Sequence, residues 1–332
     1  MIGAAVAGAV LAVGVAACVG LRGLGGSLPA RVLSGGHGMN GAVAFAVDGG
    51  HVWAVSDPGN GGGSVTELNA DDGSWIRTLS GGRYGFHYPA AIAADGAHIW
   101  VANDPQTGNG QTPKPGDGSL TELNASDGSW VQTLSARKYG FSGPSAITAV
   151  GGHLWVANQG QSDGGGSVTE LEASDGSWVR TLSGGRYGFN APSAIAAADS
   201  RIWVTNLYPA GDGGSVTELN ASDGSWARTL SGGCYNFDSP AGIAVDGGHI
   251  WVVNSNIDQT GGSVTELNAS DGGWIRTLSN DGWIQTLAHG GCIRGIVTGG
   301  SYRFTNPSTI AAVGTRIWVV DGEGSITVLT DR

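Results

Sequence analysis

One stretch, residues 165–189, constrains this chain more than any other, because the chain repeats it. It reads Gly-Gly-Ser-Val-Thr-Glu-Leu-Glu-Ala-Ser-Asp-Gly-Ser-Trp-Val-Arg-Thr-Leu-Ser-Gly-Gly-Arg-Tyr-Gly-Phe. Its Val-Thr-Glu-Leu core returns at Val65, Val216 and Val264, as Leu-Thr-Glu-Leu at Leu120 and as Ile-Thr-Val-Leu at Ile326. A second motif, an aliphatic residue followed by Trp-Val or Trp-Ala, puts Trp53, Trp100, Trp155, Trp203, Trp251 and Trp318 at one phase. Most of these tryptophans are about 48 residues apart. That is the period of an array whose units bury their apolar faces against one another.

Within a unit the chemistry is that of short strands. Ser-Val-Thr-Glu-Leu and Trp-Val-Arg-Thr-Leu flank Ser-Asp-Gly, which suits a tight turn with a left-handed glycine and a bulge. Setting Ala70 opposite Ser74 puts Glu67 across from Arg77 and Thr66 across from Thr78. The same arithmetic pairs Glu170 with Arg180, Glu218 with Arg228, Glu266 with Arg276 and Glu122 with Gln132. Opposite charges facing across a ladder contribute about 0.2–1 kcal/mol each, so these glutamates read as cross-strand partners and not as catalytic acids. Upstream, residues 194–197, a turn at Asp199-Ser200 and residues 201–205 make another hairpin. Each unit therefore holds four strands, A to D, with no helical periodicity between them, the pattern of a β-propeller blade.

Residues 1–28 read as a signal peptide, lipoprotein signal or membrane anchor with a short linker, and 29–332 as a single propeller. The blades span about 41–80, 89–135, 144–183, 192–231 and 240–279. Residues 307–332 supply strands A, B and C and stop, while residues 29–36 match a strand D. The expected fold is all-β: a six-bladed β-propeller of four-stranded antiparallel blades, closed by the N-terminal strand pairing with the C-terminal blade, which leaves no free edge at the seam. Residues 280–300 break the period and read as an insertion of two extra outer strands. With those strand directions Cys234 and Cys292 fall at opposite faces, roughly 20 Å apart by strand length. That exceeds the reach of a disulfide, so both are expected as free thiols.

Composition narrows the partners. The 61 glycines and 13 % charged residues would suggest low complexity, but the glycines cluster at turns. A net charge of −11 with a pI near 4.9 disfavours nucleic acid, which requires a basic stripe, and no nucleic-acid partner is expected. No cofactor and no metal are expected: no Ser-His-Asp order, zinc spacing or phosphate-binding glycine loop stands out. His51, His98, His153 and His249 open successive B strands, a blade apart, and cannot converge on one ion. Local turn or interblade hydrogen bonds are expected for them, and bonds to their own turns for Asn103, Asn158, Asn206 and Asn254. Residues 2–21 are an uncharged apolar run, about 30 Å long as a helix and enough to cross a bilayer. Val15-Ala-Ala-Cys18 resembles a lipobox, which makes Cys18 a candidate lipidation site. A leader or anchor of any of these kinds places the propeller outside the cytoplasm, secreted or membrane-anchored through its N-terminal segment alone.

The Trp-Val-Ala-Asn at Trp100 and Trp155, with the Thr-Glu-Leu and Ala-Ser-Asp-Gly that follow, resembles the second half of bacterial NHL- and YVTN-type propeller repeats over about residues 29–332. The resemblance implies the fold. It also implies membership of a group of interaction modules, cell-surface proteins and a few enzymes such as virginiamycin B lyase, whose metal and catalytic His match no motif here. The C–D turn is similar to the Asp-box of sialidases but shorter by a residue. Neither activity carries over.

By analogy with other propellers, ligands meet the face built from the D–A and B–C loops. The D–A loops carry Arg83-Tyr84-Gly-Phe, Lys138-Tyr139-Gly-Phe, Arg186-Tyr187-Gly-Phe, Cys234-Tyr235-Asn-Phe and Ser301-Tyr302-Arg-Phe. Aromatic and cationic side chains on one rim suit sugar rings or acidic groups; the competing role for each Tyr and Phe is as a wedge between blades. The residues just before each strand A differ between blades: His87-Tyr88, Ser142, Asn190, Asp238 and Thr305-Asn306. The expected function is non-catalytic recognition of a protein or a cell-envelope glycan by a monomer. The alternatives are a lyase or hydrolase at the channel mouth around His87, Asn190 and Asp238, and a purely structural surface repeat protein.

Overall fold

The computed structural model describes residues 12–13, 42–59, 62–70, 72–104, 117–135, 137–161, 165–207, 213–233, 235–246, 248–255, 262–279, 304, 306–313, 316–321 and 326–330. A short strand, β1 (Ala12–Val13), precedes five antiparallel sheets of the repeat. Blade 1 is β2 (Ala42–Asp48), β3 (His51–Ser56), β4 (Ser64–Asn69) and β5 (Trp75–Ser80); blade 2 is β6 (Pro89–Ala94), β7 (His98–Asn103), β8 (Ser119–Asn124) and β9 (Trp130–Leu134). Blade 3 is β10 (Pro144–Val150), β11 (His153–Gln161), β12 (Gly165–Glu172) and β13 (Trp178–Ser183); blade 4 is β14 (Pro192–Ala198), β15 (Arg201–Asn206), β16 (Ser215–Asn220) and β17 (Trp226–Ser231). Blade 5 is β18 (Pro240–Asp246), β19 (His249–Asn254), β20 (Ser263–Asn268) and β21 (Trp274–Ser279). A smaller sheet follows, β22 (Pro307–Val313), β23 (Arg316–Asp321) and β24 (Ile326–Thr330).

This corrects the expected blade count. Among the described residues there are five four-stranded blades and a small three-stranded sheet, not six four-stranded blades sealed by an N-terminal strand D. Residues 29–36 lie outside the described residues. The N-terminal strand that is described pairs elsewhere: β1 runs parallel to β6, with Ala12 beside Ala91 and Val13 beside Ile92. It lies against the innermost strand of every sheet, β2, β6, β10, β14, β18 and β22. The physical reason is that the last repeat unit carries strands A, B and C alone, and nothing local in it specifies which segment would pair beside β24; that choice is tertiary. Among the described residues no helix is long and apolar enough to cross a membrane. Cys18, Cys234, Cys292, Tyr302 and the insertion at 280–300 also lie outside the described residues.

The cross-strand pairing follows the repeat arithmetic in its main part. Glu67 faces Arg77, Glu122 Gln132, Glu170 Arg180, Glu218 Arg228 and Glu266 Arg276. Near the turn the register is one residue off: Leu68, not the expected partner of Ile76, pairs with Trp75, so Ile76 is a bulge. The turn is a four-residue loop in which the Gly73 amide donates to the Asn69 carbonyl at 2.8 Å and the Asn69 amide to the Ser74 carbonyl at 2.9 Å. Gly73 is left-handed, at φ +68°.

The core lies in the seams between blades. Strand side chains alternate between the two sheet faces, so Ile99 and Val101 enter the seam with blade 1, and Trp100 and Ala102 the seam with blade 3. Each seam takes a Trp from strand B and a Leu from strand D of one blade, and aliphatic residues from strands A, B and C of the next. A wedge from the D–A loop completes it: Phe86, Phe141, Phe189, Phe237 or Phe304, all buried. Two glycine positions permit the approach. A Cβ on Gly166 would stand 2.3 Å from Cδ of Pro192 in the next blade, and Gly63, Gly118, Gly214 and Gly262 meet Pro89, Pro144, Pro240 and Pro307 in the same way. A Cβ on Gly176, itself at φ +69°, would stand 2.6 Å from Leu134 and 2.9 Å from Trp100 of the preceding blade.

Candidate ligand-binding face

Strands A and C begin, and B and D end, on one face, so the D–A and B–C loops meet there. In four D–A loops the Tyr lies over the buried Phe two residues on. Tyr84–Phe86, Tyr139–Phe141, Tyr187–Phe189 and Tyr235–Phe237 all have ring centroids 5.4 Å apart and nearly parallel planes. The Tyr backbone is fixed as well. Strand C threonines donate to its carbonyl: Thr121 to Tyr84 at 3.1 Å, Thr169 to Tyr139 and Thr217 to Tyr187 at 2.9 Å, and Thr265 to Tyr235 at 3.1 Å. Those threonines are held in turn by the Asn ending strand B, as in Asn158 Nδ2 to Thr169 Oγ1 at 3.2 Å. The asparagines therefore bridge strands B and C and do not cap their own turns. Asn206 and Asn254 also accept, at 3.3 Å, from the amides of Asn190 and Asp238.

The cations lie outside this layer. Arg83 is exposed with its guanidinium carbon 6.0 Å from the Tyr84 ring centre, and Lys138 is exposed with Nζ 4.8 Å from that of Tyr139. Arg186 is exposed. Each of these four Tyr rings therefore has one face covered by Phe, and in two of the loops a cation lies over the ring as well. The exposed charge is what these loops offer. Of the varying positions, His87 is exposed and Asn190 and Asp238 are partly buried. They belong to three separate loops, and the described bonds of Asn190 and Asp238 stay within their own blades, so the structure does not assemble them into one constellation.

The residue before four of the strand A prolines is left-handed: Tyr88 at φ +46°, Gly143 at +61°, Ala191 at +49° and Ser239 at +51°. A non-glycine residue there carries about 1–2 kcal/mol of strain. The carbonyls so turned accept amides from the start of the B–C loops, Asp104, Gln159, Leu207 and Ser255, at 2.8–3.2 Å. In these four blades the D–A loop is thus bonded to the start of the same blade's B–C loop.

The opening histidines of strand B differ from expectation. Nδ1 of His51, His98, His153 and His249 reaches the buried Glu67, Glu122, Glu170 and Glu266 at 2.7, 2.5, 3.2 and 2.7 Å, and Arg201 reaches Glu218 at 2.8 Å. The strand D arginine takes the other carboxylate oxygen, as Arg180 Nε does on Glu170 at 2.7 Å. Each glutamate thus lies between two donors on flanking strands. The same arginines continue across the seam: Arg77, Arg180 and Arg228 donate to the carbonyls of Asp127, Asp223 and Asp271, and Gln132 to that of Asp175. The sequence signal was available, since position one of strand B is His or Arg in every blade.

On the opposite face, an open depression of about 490 Å³ is lined by the A–B turns of blades 1 to 3, including Asp48, Asp95, His98 and His153. Among the described residues no three His, Cys, Asp or Glu side chains cluster to hold a metal.

No protein-family model and no curated protein matches the chain. Solved structures do. A Kuenenia stuttgartiensis hydrazine synthase structure superposes with TM-score 0.60 at 16 % identity, over 87 % of this chain and 83 % of that one. The Neurospora crassa Pan2 WD40 domain gives 0.57 at 10 %, over 88 % and 76 %. The fold is a β-propeller. A nidogen/laminin complex gives a TM-score of 0.51 at 13 % identity, over 80 % of this propeller and 86 % of that chain. At these identities the likeness is one of architecture.

Proposed function

We propose that this propeller is an extracytoplasmic, non-catalytic binding module whose D–A loop face takes an acidic polysaccharide. One observation carries the reading. Arg83, Lys138 and Arg186 stand exposed on three successive D–A loops, in a chain of net charge −11 whose sheet arginines are engaged with buried glutamates. An extended polyanion with repeated charges matches cations presented one per blade. Engagement of the Tyr faces favours recognition of acidic groups over stacking of neutral rings at this face. The extracytoplasmic location rests on the sequence of the apolar run at 2–21 alone; the two described residues of that run, Ala12 and Val13, lie beside β6. A catalytic role has less support, because His87, Asn190 and Asp238 are on separate loops.

The test is binding of the purified protein to polygalacturonate, with dextran as the uncharged control. We expect polygalacturonate alone to bind, and the triple variant Arg83→Ala/Lys138→Ala/Arg186→Ala to bind about tenfold or more weakly. Affinity should fall several-fold between about 50 and 200 mM salt. Equal affinity of the triple variant and the parent would overturn the assignment, as would an absence of binding.

A further inference from the structure

The exposed apolar surface of this propeller is concentrated on its outermost strands. Among the described residues, Trp75, Trp130, Val131, Trp178, Trp226 and Ile275 are exposed on strands D, and Val47 is the one large exposed apolar side chain elsewhere. The four tryptophans are 37–47 % exposed. They share a pose: the indole N–H donates to the Thr three residues on, Thr78, Thr133, Thr181 and Thr229, at 3.0–3.1 Å. That bond satisfies the polar edge of the ring and fixes its plane while leaving ring surface in solvent.

We propose that this rim is a second ligand surface, on which indole faces of Trp75, Trp130, Trp178 and Trp226 stack on the sugar rings of an uncharged polysaccharide. Other occupants fit less well. A strand from another protein would need a continuous hydrogen-bonding edge, and the β4–β5, β8–β9, β12–β13, β16–β17 and β20–β21 ladders all carry a register shift that bulges strand D. A second copy brings its own net charge of −11. Acidic sugars are disfavoured by the exposed Asp72, Asp127, Asp175 and Asp223, each three residues before its Trp. A neutral pyranose needs an apolar ring face and acceptors for its hydroxyls; the indole, oriented by its N–H bond, offers the first, and the exposed turn carboxylate three residues before it offers the second. With one platform on each of blades 1 to 4 the sites act together, so weak stacking on each sums along a polymer.

Affinity electrophoresis in gels containing a soluble mixed-linkage β-glucan, a mannan or glycol chitin tests the proposal. The parent protein should be retarded by at least one of the three. Trp130→Ala, Trp178→Ala and Trp226→Ala should each weaken retardation, and the triple variant should run about as in a plain gel, at least a tenfold loss. Tyr at the same three positions should keep most of the retardation, which separates loss of a platform from loss of fold. Polygalacturonate binding should be unchanged in all of them, so failure here and failure of the loop-face assignment are distinguishable. Retardation by none of the three polymers, or retardation that survives the triple Ala substitution, overturns the proposal. So does Trp-dependent self-association by light scattering, which would mark the rim as a contact between copies.

Discussion

Glu170 is buried between His153 and Arg180, and burial pushes its carboxyl pKa above the ordinary carboxylate range against the pull of those two partners. A raised folded-state pKa makes the protonated form the stabilising one. Its contribution is full below the ordinary Glu range and is lost as pH rises through the folded value. Glu170→Gln should flatten that part of the curve of melting temperature against pH. Glu170→Ala should destabilise by about 2 kcal/mol, less than for a fully buried pair, because Arg180 and His153 are about one-third exposed and recover hydration. The turn aspartates have the opposite sign. Asp127, Asp175 and Asp223 are held below the usual carboxylate range by hydrogen bonds from Ser129, Ser177 and Ser225. Their contribution is present above the ordinary Asp range and lost as pH falls through the lowered values. A triple Asp→Asn variant should therefore lose less stability than the parent on acidification below about pH 4, measured by denaturant titration at each pH.

At the scale of the element, adjacent glycines in one loop have different duties. Gly165 has open space where a side chain would go, whereas Gly166 is against the Pro192 ring. Gly165→Ala should change stability by no more than about 0.5 kcal/mol, while Gly166→Ala should cost about 1–3 kcal/mol by overpacking the seam; paired urea titrations distinguish the two. The glycines before Val-Thr-Glu-Leu were visible in the sequence as punctuation, but the proline they accommodate belongs to the next blade. The Glu67–Arg77 pairing was legible because a turn fixes register locally. The bulge at Ile76 was not, since the offset at Leu68–Trp75 is cancelled before Glu67 is reached. His51 on Glu67 was missed because the hairpin arithmetic stopped at strands C and D and did not extend to strand B.

Across the whole molecule, blades 1 to 5 are fastened in succession by the same parts: a Phe wedge, a Gly–Pro contact, and an Arg or Gln reaching a turn carbonyl. Arg77 and Arg228 serve different seams and share no partner. Arg77→Ala and Arg228→Ala should destabilise additively within about 0.5 kcal/mol in a double-mutant cycle. Arg77→Ala with Glu67→Gln should not, because those side chains are bonded to each other. The candidate loop face was legible in part. Its cations and aromatics could be named, yet Tyr84, Tyr139 and Tyr187 could not be known to have a ring face covered. Nor does the sequence distinguish the half-exposed Trp75, Trp130, Trp178 and Trp226 from the buried Trp of strand B. Sequence by itself determined the all-β class, the four-strand unit, most of the register and the order of the blades, because each follows from turn chemistry and a two-residue periodicity within one repeat. Only the tertiary structure decided how many sheets are complete, where β1 lies and which aromatic surfaces remain in water, because those depend on contacts between repeats, and near-identical repeats carry no label saying which neighbour each one meets.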